Sequence, residues 1–186
     1  MSISDKSRRR CLKAIGGILE FLEKDKYDPD QLRRLEARFL SPSGIVEANV
    51  HELRKEGLAE SNAQLLALIP SLTRYCLRMN YGEHPKLTTL PTAAQYLKSL
   101  YIGIPIEQFY LLCLDSSGRL IECLLLQKGT IDETPFYLGH LLQALVTAGA
   151  DAIVLCHNHP GGTPRPSQAD VRCTLDALRA LHALGV

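Results

Sequence analysis

Residues 151–159 read DAIVLCHNH, an apolar run that closes on two histidines and stops at Pro160. Its length, about six residues, suits a strand buried on both faces. Gly161 and Gly162 then allow a tight turn. Ser167 stands where a helix N-cap belongs, with Asp170 three positions on and a helical pattern, SQADVRCTLDALRALHALG, behind it. A buried strand turning straight into a capped helix has to sit in a layered structure in which helices cover a sheet. The preceding segments agree. QFYLLCLD and RLIECLLLQKG are rich in strand formers and separated by SSG, a hairpin signal in which Gly118 supplies the turn. FYLGHLLQALVTAG is helical and ends at Gly149. The order helix, strand, strand, helix, strand, helix predicts an α/β or α+β sandwich, a mixed sheet flanked by helices. In the last helix Val171, Leu175, Leu178, Leu181 and Leu184 share a face, which is expected to be core.

Residues 1–82 read as a separate small, all-helical domain. RRRCLKAIGGILEFLEKD has apolar residues at helical spacing. DPDQLRRLEARFL starts with Asp28 as N-cap and Pro29 in the first helical position. GIVEANVHELRKEG and SNAQLLALIPSLTRYCLRM read as two more helices, with Gly57 as the stop between them. The polar stretch 80–90 is the expected linker, and PTAAQYLKSLYIG, ending at Gly103, opens the second domain, 88–186, as a short helix.

The chain is 46% apolar and 22% charged, enough for a real core, and its net charge of +1 argues neither for nor against nucleic acid as a partner. The amino terminus carries no apolar stretch behind a basic start, so no secretory signal is expected. No run of 18 apolar residues occurs, so no membrane span is expected. The six cysteines (11, 76, 113, 123, 156 and 173) form no CxxC pair. Cys113, Cys123 and Cys156 fall in strand-like runs and read as buried free thiols in a reducing cytoplasm.

His157 and His159 are two apart at a strand end, so alternation puts both on one face with Cβ atoms roughly 7 Å apart. Asp170, in the first turn of a helix aimed back at that strand end, offers a third ligand. Two histidines and a carboxylate leave a fourth position for water, the catalytic form of a zinc site. Glu107, at the start of the first strand, is the candidate to move the water's proton. Each feature also has a plain explanation. Ser-x-x-Asp is an ordinary capping pattern, His-x-His arises by chance, and a glutamate beside a strand is usually solvated. The combination at this spacing argues for the metal. Cys156 points to the opposite face and is excluded as a ligand. His51, His84, His140 and His182 stand alone and read as surface or packing residues.

His157-x-His159, seven residues, Ser167-x-x-Asp170 resembles the JAMM signature of the MPN-plus metallopeptidases. AIVLCHNHPGGTPRPSQADVRCTLDALRALHALGV resembles the RadC-like (UPF0758) bacterial proteins more closely, and EQFYLLCLDSSGRLIECLLLQKGTID is similar to that family's hairpin, opening on the expected glutamate. The resemblance covers about residues 88–186. It implies a JAMM/MPN-like, cytidine-deaminase-like sheet and Zn2+ as cofactor. It implies His157, His159 and Asp170 as the metal ligands, Glu107 as general acid/base, and Ser167 as the residue supporting the developing oxyanion. It also implies hydrolysis of a peptide or isopeptide bond by metal-activated water. Departures are visible. Gly161 replaces the family's usual serine, and 131–143 lacks the usual Arg-Glu. The chain ends at HALGV, before the further strand the family usually shows. In the amino-terminal half the family's helix-hairpin-helix is degenerate, with only Gly57 left of its turn, so phosphate contacts there are not expected.

A competing expectation is a non-catalytic nucleic-acid or protein binding module associated with DNA repair, motivated by Lys6, Arg8, Arg9, Arg10 and Lys13. The letters HNH also bring a metal-dependent nuclease to mind, but that motif spreads its residues over a hairpin and a helix. Here they are consecutive at a strand end.

Overall fold

The computed structural model describes residues 3–24, 28–129, 134–160 and 162–184. The chain divides into two compact units, 1–73 and 74–186. The division falls inside a helix, ahead of the polar stretch expected to be the linker.

The first unit is helical, with α1 (Ile3–Glu23), α2 (Pro29–Phe39), α3 (Pro42–Glu47), α4 (Val50–Lys55) and the start of α5 (Glu60–Met79). Asp28 caps α2 as expected, its side chain accepting the Asp30 N–H. The single helix expected over 44–57 is two. Asn49 accepts the Glu52 N–H while Glu52 accepts the Asn49 N–H, and this capping box starts α4 afresh. Leu19, Leu35, Ile45, Leu53 and Leu66 are fully buried in the unit's core.

In the second unit α6 (Leu90–Tyr101) precedes β1 (Gln108–Leu114) and β2 (Leu120–Lys128). Then come α7 (Thr134–Ala148), β3 (Ala152–His157) and α8 (Gln168–Leu184). The three strands form one antiparallel sheet in the order β2-β1-β3, so β1, the most apolar strand, takes the centre. The hairpin turns at Gly118, whose φ is +75° and where a Cβ would lie 2.6 Å from the Thr88 methyl; both features require glycine.

Alternation assigns the two sheet faces. Leu112, Leu114, Cys123, Val154 and Cys156 pack under α6. Phe109, Leu111, Cys113, Ile153 and Leu155 face α7 and α8. The result is a helix–sheet–helix sandwich. The cysteines of the strands are free thiols; Cys113 is buried, Cys123 and Cys156 are half-buried, and burial raises the pKa of all three.

The packing of α8 corrects the expected leucine face. Its core residues are Cys173, Ala177 and Leu181, whereas Val171, Leu175 and Leu178 are 47%, 45% and 60% exposed. Small residues let the helix lie close to α7 and the sheet, and the larger aliphatic row turns outward. Gly161, residue 130, residues 131–133 at the head of the segment lacking Arg-Glu, and the last two residues of HALGV lie outside the described residues. Among the described residues no helix is long and apolar enough to cross a membrane.

Candidate metal centre

β3 ends at His157, so His159 lies two residues beyond the strand rather than in it. Both side chains nevertheless converge. Their Nε2 atoms are 2.6 Å apart, and the ring centroids are 4.6 Å apart at a tilt of 35°. The His157 ring is stacked on Phe109 from the neighbouring strand, 4.6 Å between centroids at 8°, so its plane is set by the buried face of the sheet. Phe109 is the residue paired with His157 across the ladder. Cys156 is on the other face, under α6, as alternation requires.

Asp170 arrives from α8. Ser167 caps that helix, its Oγ accepting the Asp170 N–H at 3.1 Å while the Asp170 carboxylate accepts the Ser167 N–H at 2.7 Å. The capping box thus holds the carboxylate by Oδ2, the oxygen nearer His159, and leaves Oδ1 directed at His157. Asp170 Oδ1 is 3.2 Å from His157 Nε2, and Oδ2 is 3.7 Å from His159 Nε2. The plain explanation, a cap, and the sharp one, a ligand, are therefore both satisfied by one side chain. Burial pushes the Asp170 pKa up, but the Ser167 hydrogen bonds and the two imidazoles outweigh it, and the carboxyl lies below its ordinary value of 3.8. It is ionised and ready to ligate.

These three groups offer one donor atom each, all within 4.8 Å of one another, and all are half-buried. Two facing imidazole nitrogens at 2.6 Å cannot both carry protons: one donates to the other, or a shared cation would take both lone pairs with the rings opened slightly. A tetrahedral zinc with bonds of about 2.0–2.1 Å spaces its donors by roughly 3.3 Å, which the two carboxylate distances already approach. The donor set, two neutral nitrogens and a carboxylate, suits zinc.

Glu107 is not in this cluster. It is half-buried, one residue ahead of β1, and its C=O accepts the Gly129 N–H at 2.8 Å, continuing the ladder to β2. Phe109 is opposite His157, and Glu107 lies two residues before Phe109 in the chain, beyond the end of that pairing. Sequence reasoning missed Asn158. Its Oδ1 accepts the Gln108 N–H at 2.8 Å, and its Nδ2 donates to Ile106 O at 3.0 Å and reaches Ile104 O at 3.5 Å.

Two cavities flank the cluster. One, about 380 Å³, is lined by His157, His159, Thr163 and Pro164. The other, about 350 Å³, adds an apolar wall of Phe109, Leu155, Val171 and Leu175 to Asp170. A larger groove of about 800 Å³ between α1 and α5, in the first unit, has no titratable side chain on its walls.

A helix–sheet–helix sandwich that gathers His, His and Asp at a strand-to-helix junction defines a class of metal-capable domains. The comparisons narrow it. The sequence model of the RadC-like JAB domain matches residues 87–186. A UPF0758 protein of Herminiimonas arsenicoxydans is 32% identical over 155 residues, 83% of this chain and 69% of the relative. A UPF0758 protein of Rhodobacter capsulatus is 33% identical over 150 residues, 81% of this chain and 64% of the relative. The chain belongs to the RadC-like JAB domain family of UPF0758 proteins. The matched region spans about two thirds of the length of these relatives.

Proposed function

We propose that this chain is a zinc-dependent metallohydrolase of JAMM type, with the cytidine-deaminase-like sheet arrangement of that class, and that it cleaves a peptide or isopeptide amide bond. The observation that carries the reading is the convergence of His157, His159 and an ionised Asp170 from two separate elements. A bound zinc would supply a Lewis acid and acidify a water toward neutrality. The chain's own residues do the rest. Phe109 and the capping box hold the ligands in place. Glu107 takes the proton from the attacking water and returns it to the leaving amine. Ser167, whose Oγ already accepts the Asp170 N–H, retains its hydroxyl proton to donate to the oxygen on which charge develops. The two cavities receive the chain on either side of the scissile bond. The six free cysteines support a reducing, cytoplasmic setting.

Metal analysis of protein purified without chelator tests this. One zinc per chain, lost in His157→Ala, is expected, with amide hydrolysis lost and metal kept in Glu107→Gln. Wild-type protein that neither carries nor takes up zinc sinks it.

A second reading, a nucleic-acid binding module, draws on α1, where Lys6, Arg9, Arg10 and Lys13 are exposed at positions i, i+3, i+4 and i+7. Arg8 is taken up by a 2.6 Å ion pair with Glu36. DNA binding that weakens steeply with salt, without hydrolysis, would favour it over the enzyme.

A further inference from the structure

The β1–β3 pairing ends at Phe109 and His157; carried on, its register would set Gln108 opposite Asn158 and Ile106 opposite Pro160. In that register Gln108 and Ile106 turn their backbone groups toward β3, because the intervening Glu107 C=O is bonded to Gly129 on the β2 side. The strand cannot continue. Pro160 has no N–H to give to the Ile106 C=O. The side chain of Asn158 supplies both missing partners. Its carbonyl accepts the Gln108 N–H at 2.8 Å, and its amide donates to the Ile106 C=O at 3.0 Å. A carboxamide thus imitates one rung of a strand where the backbone has already departed into the turn.

The two peptide groups that Asn158 holds lie on either side of Glu107. Residues 158–160 thereby lie outside β3, and it is from there that the His159 ring reaches to within 2.6 Å of His157. We propose that Asn158 is the positioning residue of this centre: it fixes the Glu107 backbone against the metal ligands by a side-chain rung that Pro160 prevents the main chain from making. The inference rests on Glu107 being the proton-transfer group. Asn158 touches neither ligand nor substrate in this account and acts through Glu107. Its neighbour Gln108 is buried and further tied by the Tyr110 hydroxyl, which donates to Gln108 Oε1 at 3.1 Å, so the held segment is anchored on its far side as well.

The test loads the 186-residue chain with Co2+ and follows its visible spectrum through pH in wild type, Glu107→Gln, Asn158→Ala, Asn158→Asp and the Glu107→Gln/Asn158→Ala double variant. Amide hydrogen exchange of Gln108 is read in parallel. All variants are expected to bind one cobalt. Glu107→Gln moves the spectral transition, and Asn158→Ala moves it the same way. The double variant moves no further than Glu107→Gln alone. The Gln108 amide exchanges at least tenfold faster in Asn158→Ala. Asn158→Asp keeps the acceptor and loses the donor, so it retains Gln108 protection while still moving the transition. A transition that Glu107→Gln moves and Asn158→Ala leaves in place overturns the positioning role alone. A transition insensitive to Glu107→Gln overturns the Glu107 assignment and this inference with it. Additive shifts in the double variant overturn the inference by routing the effect of Asn158 through the ligands.

Discussion

Replacing Ser167 separates the two duties that meet at the head of α8. In the structure its Oγ accepts the Asp170 N–H at 3.1 Å, and its own backbone N–H holds the Asp170 carboxylate at 2.7 Å. Ser167→Ala removes the first bond and keeps the second, so the metal ligand stays anchored while the helix loses its cap. An N-cap serine replaced by alanine costs about 1 kcal/mol, and by glycine only a few tenths. For a chain of this length, 1 kcal/mol lowers the melting temperature by roughly 2–4 °C. Zinc content is unchanged in both variants. Turnover is another matter. Loss of a preorganised oxyanion donor lowers kcat about 10²- to 10³-fold, well beyond the roughly fivefold that 1 kcal/mol commands. The assay pairs calorimetry with kcat on an amide substrate that wild-type protein cleaves, for Ser167→Ala and Ser167→Gly together. The expected pattern is stability restored in the glycine variant with turnover still lost in both. If turnover returns with stability in Ser167→Gly, the serine is a cap and nothing more, and the assignment of an oxyanion role fails.

Three further outcomes follow from the same geometry. Phe109→Leu keeps an apolar filler under α8 but removes the ring stacked on His157; a contact worth about 0.5–1.5 kcal/mol should weaken zinc binding about two- to tenfold in a chelator competition, and an unchanged affinity would show that the stack does not orient the ligand. In metal-free protein the depressed pKa of Asp170 makes its contribution to stability complete above the unfolded value of 3.8 and lost as pH falls through the lower folded value. The melting gap between wild type and Asp170→Asn should therefore close on acidification below 3.8, and a gap that persists at lower pH refutes it. Leu111 is fully buried in the central strand, so Leu111→Ala should cost about 2–5 kcal/mol in a denaturant titration, against less than 1 kcal/mol for a substitution at exposed Leu178.

What could be seen in the sequence was what is local. The caps at Asp28 and Ser167, the hairpin glycine and the alternation that sends Cys156 away from His157 depend on neighbours within a few residues, and each appears in the structure where its chemistry places it. The break at 48–49 was equally local, since Asn49-x-x-Glu52 is a capping box written in the sequence, but it lay inside an unbroken helical pattern that seemed to explain it. The face of α8 was not local. Its leucine row has the right period for a core, yet the face that packs on the sheet and α7 is that of Cys173, Ala177 and Leu181, and Val171, Leu175 and Leu178 turn outward. Periodicity identifies a helix and an apolar stripe; what the stripe meets is decided by elements distant in the chain.

The metal centre shows the same division and carries it one step further. The three residues of the candidate cluster and their order were legible because a His-x-His at a strand end and an Asp at N3 of the next helix are local patterns. The convergence of the two imidazoles was legible too, since a Cβ spacing of roughly 7 Å along a strand lets two rings meet; that His159 lies past the end of β3 was not. Departure from a strand strands the backbone groups of its neighbour, and Pro160 makes the loss unavoidable at Ile106. A residue between the two histidines must then carry both a donor and an acceptor on a short side chain, and among the twenty amino acids asparagine meets that need with the right reach. The identity of residue 158 is thereby tied to Pro160 and to the geometry of His157 and His159 at once, and an alteration at any one of these positions should be felt at Glu107 through Gln108 and Ile106.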